Sequence, residues 1–154
     1  MTEPASLPAL ADLLRKARAD GDPSKLGALI PYLSTLGIGF SIDAGRLTAR
    51  MAFADSLIGN ANLPALHGGA IGGLLESAAI FQVLWEGETI VLPKIVTITV
   101  DYLRSGRPVD TYARGTVTKP GKRVVNVSVE AWQDDPARPI ARANAIFLVQ
   151  PIDD

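Results

Sequence analysis

Cysteine is absent from the chain and histidine occurs once, at position 67. The first absence removes a disulfide framework, a thiolate nucleophile and any Cys-based zinc site. The second removes a His-rich metal centre, so no metal is expected. Neither sign of charge is in excess: 15 Lys and Arg stand against 16 Asp and Glu, a net charge of −1. That balance lacks the basic footprint of a nucleic-acid binder and the block of like charge of an acidic tail, so a small-molecule partner is expected. The stretch from Met1 to Ser6 has no basic region leading into an apolar one, so no secretory signal is read and a cytoplasmic protein is expected. A Gly-rich phosphate loop of Rossmann or P-loop spacing is missing as well, which argues against NAD or ATP chemistry.

What the chain has instead is one long apolar run, Gly68 to Trp85, that starts directly behind His67 and holds a single formal charge, Glu76. The positions three and four residues away on a helix are Gly72, Gly73, Ala79 and Ile80, none of them a cation. If the helix is buried, this carboxylate needs a partner from elsewhere or a chemical purpose. The run is long enough to span a bilayer. Its glycines and a central Glu, which would cost about 2.5–3.5 kcal/mol in the membrane, argue for the core helix of a folded domain.

Around this run the periodicity is mixed. Leu7, Leu10, Ala11, Leu14 and Ala17 recur at helical spacing, with Arg15, Lys16 and Arg18 near the end where cations complement the dipole. A turn at Gly21 to Pro23 precedes a second short helical segment around 24–33. From Leu36 the pattern alternates through Phe40, breaks at Asp43 to Gly45, and alternates again through Phe53, which predicts a hairpin. Four further strand-like segments follow the apolar run, with Val96, Ile98, Val100 and Tyr102 on one face of the first. Lys119 to Lys122 suits a type II turn, with Pro120 at i+1 and Gly121 at i+2. Tight turns between late strands imply antiparallel pairing. The fold class is therefore α+β: a curved antiparallel sheet wrapped around a long central helix, with a short N-terminal helical extension (residues 1–34) before the main domain (35–154). A helix apolar nearly all round must be covered on most sides, and its remaining face is expected to meet a second copy.

The segment from Asn60 to His67, Gly68 and Gly69, followed by Glu76 two turns into a helix, resembles the hot-dog-fold acyl-CoA thioesterases of the phenylacetic-acid-degradation type. In that family an Asn, a His-Gly-Gly entry to the central helix and an Asp or Glu about two turns on form the site. The resemblance spans roughly residues 35–150 and includes Asp101 to Arg104. It departs at Pro64, where the family often has Gly, and at Ile95, where many relatives carry Ser or Thr; either Thr97 or Thr99 substitutes in that role here, or the role is absent. The resemblance implies a homodimer that often pairs again into a tetramer, acyl-CoA as substrate, and no cofactor beyond the CoA that the substrate carries.

The residues fit that chemistry. Thioester hydrolysis needs a nucleophile or activated water at the carbonyl carbon and donors for the oxyanion. Free N–H groups at a helix start supply donors, and glycine allows close approach, which points to Gly68 and Gly69. Glu76 is the candidate base or nucleophile, His67 a positioning group, and Asn60 (or Asn62) the orienter of nucleophile or water. Gly68 and Glu76 lie eight residues apart, about 12 Å along one helix, so a site using both must draw them from two subunits. For the substrate, Arg104, Arg107, Lys119, Lys122 and Arg123 are the cations available to the CoA nucleotide, and Phe81, with Trp85, Phe53 and Leu57, is expected to close the acyl pocket.

Other readings stand beside this one. Glu76 could be a core carboxylate paired with Arg114 or Arg142, and Asn60 a turn residue. Enoyl-thioester hydration or dehydration is a second enzymatic function, although no Asp-His or Asn-Glu-type dyad is evident. A non-catalytic acyl-ligand-binding hot-dog domain is the third.

Overall fold

The computed structural model describes residues 7–87 and 91–149. Leu7–Asp20 forms α1, a single 3-10 turn spans Leu26–Leu29, and Pro31–Leu36 forms α2, which runs across residues 34 and 35. Pro31 opens α2 at a position whose N–H would have no helical partner, and Gly37 closes it in the left-handed region with φ 67°. Leu14, Leu26, Leu33 and Leu36 from these elements are buried in the same core as the sheet and the long helix. Arg18, near the end of α1, donates from its guanidinium to the carbonyl of Leu84 in the last turn of the long helix.

The sheet follows in chain order. β1 (Ile38–Asp43) and β2 (Arg46–Met51) form a hairpin closed by Ala44 and Gly45, both left-handed. Two short strands, β3 (Ile58–Asn60) and β4 (Ala65–Leu66), pair antiparallel and lead into α3 (Gly68–Glu86). Then come β5 (Lys94–Tyr102), β6 (Thr111–Pro120), β7 (Val124–Trp132) and β8 (Ala141–Leu148). Six strands make one antiparallel sheet in the order β1-β2-β6-β7-β8-β5. It wraps α3, as the α+β hot-dog expectation required. The apolar run is thus a core helix: Leu74, Leu75, Ala79 and Phe81 are sealed from solvent.

Side-chain size explains how the helix sits so close. The inner face of the middle strands is built from Ala113, Gly115, Ala131, Ala141, Ala143 and Ala145, a floor of small residues. A Cβ on Gly115 would lie 3.0 Å from Cβ of Gln82 on α3. The larger Val127 and Val129 of β7 stand between these small residues, opposite Ala145 and Ala143 of β8, and Phe147 fills one end. Such interdigitation brings the interior to its usual density.

Two local expectations are corrected. Val96 does not share the inner face with Ile98 and Val100: β5 bulges between Ile95 and Thr97, so Ile95 packs on the core and Val96 is 63% exposed. No type II turn forms at Lys119 to Lys122, because β6 continues to Pro120 and Gly121 lacks the positive φ that position i+2 demands. Glycine is needed there for space, since a Cβ would lie 2.1 Å from the Val124 carbonyl oxygen. Gly121→Ala is therefore expected to cost about 1–3 kcal/mol of stability in urea denaturation, by forcing the hairpin backbone apart. A cost near zero would mean that the connection yields freely.

Candidate active site at the start of the central helix

β3 and β4 deliver the chain to α3 so that Asn60 and His67 sit on the same small hairpin. His67 N–H donates to the Leu57 carbonyl at 2.8 Å, and Leu66 N–H to the Gly106 carbonyl at 2.9 Å. Gly59 backs the histidine closely: a Cβ there would lie 2.7 Å from His67 Cα and 2.9 Å from its Cδ2. The histidine is the N-cap of α3, its Nδ1 accepting the Gly69 N–H at 2.9 Å. Its own carbonyl accepts the N–H groups of Ala70 and Ile71. Among the described residues, Gly68 N–H is the amide of this first turn with no acceptor. Of the two glycines singled out from the sequence, Gly69 thus has its donor committed to the cap, and Gly68 has its donor free.

One further residue holds this corner. The Tyr102 hydroxyl, at the end of β5, donates to the Gly68 carbonyl at 2.7 Å. Its ring rests against the helix where glycines leave room: a Cβ on Gly68 would be 3.3 Å from the ring, and one on Gly72 3.5 Å from the hydroxyl. Sequence reasoning missed both Gly59 and Tyr102 as site residues. The signals for Tyr102 were its place on the helix-facing side of β5 and within the Asp101 to Arg104 segment of the resemblance.

Glu76 lies on the one stripe of α3 that the sheet leaves uncovered, with Gly69, Gly72, Gly73 and Ile80. Tyr102 borders the stripe at Gly72, and Tyr32 and Leu36 of α2 border it at Gly73. Among the described residues no cation or hydrogen-bond donor meets the Glu76 carboxylate. The core-pair reading fails on its named partners. Arg114 binds Asp43 at 2.6 Å and stands over the Trp132 ring, while Arg142 binds Glu130 at 2.8 Å.

The remaining candidates are scattered. Asn60 Oδ1 accepts the Asn62 N–H at 3.0 Å in an exposed turn, leaving its amide donors free. Thr97 and Thr99 are exposed on β5, offset from the helix-facing Ile98 and Val100, so one chain does not bring them to Glu76. Phe81 is a core residue, 1% exposed with its ring 4.4 Å from that of Phe40, and lines no opening toward the stripe. Arg104 donates to the Pro139 carbonyl and Arg107 pairs with Asp134, whereas Lys119, Lys122 and Arg123 stay exposed at the β6–β7 connection. Among the described residues no group of three acidic, histidine or cysteine side chains is placed to hold a metal.

A family model for the acyl-CoA thioesterase N-terminal domain matches residues 59–148, more than half of the chain. The chain belongs to this acyl-CoA thioesterase domain family. A Chromobacterium violaceum protein of known structure is 37% identical over 92% of this chain and 99% of its own, with a TM-score of 0.73. A phenylacetic acid degradation-related protein from Ralstonia eutropha shares the fold at 22% identity and TM-score 0.70, covering 88% of this chain and 98% of its own. A Bacillus halodurans protein solved with CoA does so at 18% identity and TM-score 0.68, covering 92% and 93%. No curated protein sequence matches the chain. The thioesterase-domain match begins at Gly59, and so takes in the whole corner from the glycine behind His67 to Tyr102.

The close approach at Gly59 can be measured apart from any activity. Gly59→Ala is expected to lower unfolding free energy by about 1–3 kcal/mol, because backbone or His67 must move. Asn60→Ala, which removes only an exposed turn acceptor, is expected to cost under about 1 kcal/mol. Equal costs would show that His67 does not depend on the glycine behind it.

Proposed function

We propose that the protein hydrolyses an acyl-CoA to a carboxylic acid and free CoA, in sites shared between two copies of the chain. The observation that carries this reading is a largely buried carboxylate with no partner among the described residues, on a glycine-lined stripe of the same helix whose Gly68 N–H has no acceptor among them. Glu76 acts as general base or nucleophile. As base, it takes a proton from water whose oxygen adds to the thioester carbonyl carbon. The oxyanion is held by Gly68 N–H at the positive end of the helix, and collapse expels CoA thiolate, which takes up the proton. His67 and Asn60 position the reactants, and Gly69 fixes His67. No cofactor beyond the substrate's own CoA is required, and a cytoplasmic setting suits that substrate.

Two copies are required because Gly68 and Glu76 stand about 12 Å apart along one helix axis. The surface is suited to such pairing. Among the described residues β5 is an edge strand bonded to β8 alone, Val96 on it is 63% exposed, and Tyr32 and Tyr102 flank the open stripe of α3. A long edge of this kind is a template for a second strand. A homodimer follows, with a dimer of dimers as a further level of assembly.

Subunit mixing tests the whole reading. Glu76→Gln is expected to lower kcat on a panel of aromatic and medium-chain acyl-CoAs by about 10²- to 10⁴-fold, the range for loss of a base. Gly68→Pro removes the donor while suiting the first helical position, and is expected to be similarly impaired. Refolded together, the two inactive variants should regain about a quarter of wild-type activity, since half the dimers are mixed and each carries one intact site. No recovery would defeat the two-subunit site. Binding of acyl-CoA with no turnover by wild type would favour the non-catalytic reading instead.

A further inference from the structure

The peptide unit between Gly68 and Gly69 is held at both ends. Its carbonyl accepts the Tyr102 hydroxyl at 2.7 Å, and its N–H donates to His67 Nδ1 at 2.9 Å. A carbonyl that accepts a hydrogen bond makes the N–H of the same peptide a better donor, so the two bonds reinforce each other. With Nδ1 accepting from a fixed N–H, the neutral ring carries its proton on Nε2. The imidazole therefore offers a donor, not an acceptor, to whatever lies beside the helix start.

We infer that Tyr102 is a positioning residue which, through the Gly68–Gly69 peptide, sets the tautomer and orientation of His67. Two independent features of the molecule agree. The ring of Tyr102 is seated where Gly68 and Gly72 lack side chains, so its hydroxyl is aimed by packing and not by the hydrogen bond alone. Gly59 packs against His67 so closely that a Cβ there would lie 2.7 Å from its Cα, which fixes the histidine's backbone from its own hairpin as well. For the reaction proposed above, on which the kinetic part of this inference rests, the pinned peptide also steadies the preceding one, whose Gly68 N–H is the oxyanion donor. In this role Tyr102 acts through the peptide it holds and not on the reacting atoms. It keeps the donor set at the helix start in a single arrangement before substrate arrives.

His67 is the chain's only histidine, so the imidazole nitrogens of an untagged, ¹⁵N-histidine-labelled sample give one unambiguous pair of signals. At a pH where the ring is neutral, wild type is expected to show a pyridine-type Nδ1 and a pyrrole-type Nε2–H. Tyr102→Phe, which keeps the ring and removes the hydroxyl, is expected to give averaged signals from both tautomers. It should also lower kcat on acyl-CoA by about ten- to a hundredfold with KM within about twofold, the pattern of an interaction realised in the transition state. Unchanged nitrogen shifts in the variant would overturn the inference, and so would a shifted tautomer with undiminished kcat. If wild type hydrolyses no thioester, the thioesterase reading fails, while the nitrogen spectra still decide whether Tyr102 governs His67.

Discussion

The architecture depends on the need to cover α3. A helix apolar nearly all round cannot lie on a surface, and the curved sheet meets that requirement by offering a floor of alanine and glycine on which the helix settles at backbone-close distance. The same demand recruits α1 and α2, whose leucines seal the helix where the sheet ends. One stripe escapes cover, and it holds Gly69, Gly72, Gly73 and Glu76. Small residues there keep the gap passable and remove any steric reason for the stripe to close. The carboxylate stands where a folded monomer leaves both space and partial solvation.

The start of the helix is organised by a different economy, that of donors and acceptors. Each of the first turn's amides finds an acceptor except one: Gly69 at the His67 ring, Ala70 and Ile71 at the His67 carbonyl, Gly68 at nothing. A helix N-terminus with all its donors engaged would be a poor place for an anion, and one with none engaged would fray. The histidine cap leaves a single aimed donor and ties down its neighbours. Gly59 packs on His67 from its own hairpin and Tyr102 holds the Gly68–Gly69 peptide from β5, so the cap depends on a strand 34 residues on as well as on its neighbours.

Much of this was legible in the residues. The order of the long strands, the extent of α3 and the lack of a cation near Glu76 on its own helix followed from periodicity, because hydrophobic repeat and charge position are properties of the chain itself; the short β3–β4 pair and the fate of Arg114 and Arg142 did not. The site's fine structure did not follow. Nothing in the sequence pattern at residues 94–102 marks the extra residue that places Val96 outside the alternation, since a bulge is a matter of register with β8. Pro120 and Gly121 had the composition of a type II turn, but the close pass of the Val124 carbonyl, a non-neighbouring contact, set the use of that glycine. Phe81 looked available for an acyl pocket because helical spacing alone does not say which face the sheet will take. Tyr102 was invisible as a partner of Gly68 since the two are 34 residues apart.

Arg18 links the two ends of this design in time as well as space. Its guanidinium serves the Leu84 carbonyl at the end of α3, while Leu14 and Ala17 on the same helix lie in the common core. Loosening α1 would bare those apolar side chains and strip a hydrogen-bonding partner from the last turn of α3 together. Opening of the N-terminal helix and fraying of the central one are thereby expected to go together, which matched exchange of their amides with solvent would show.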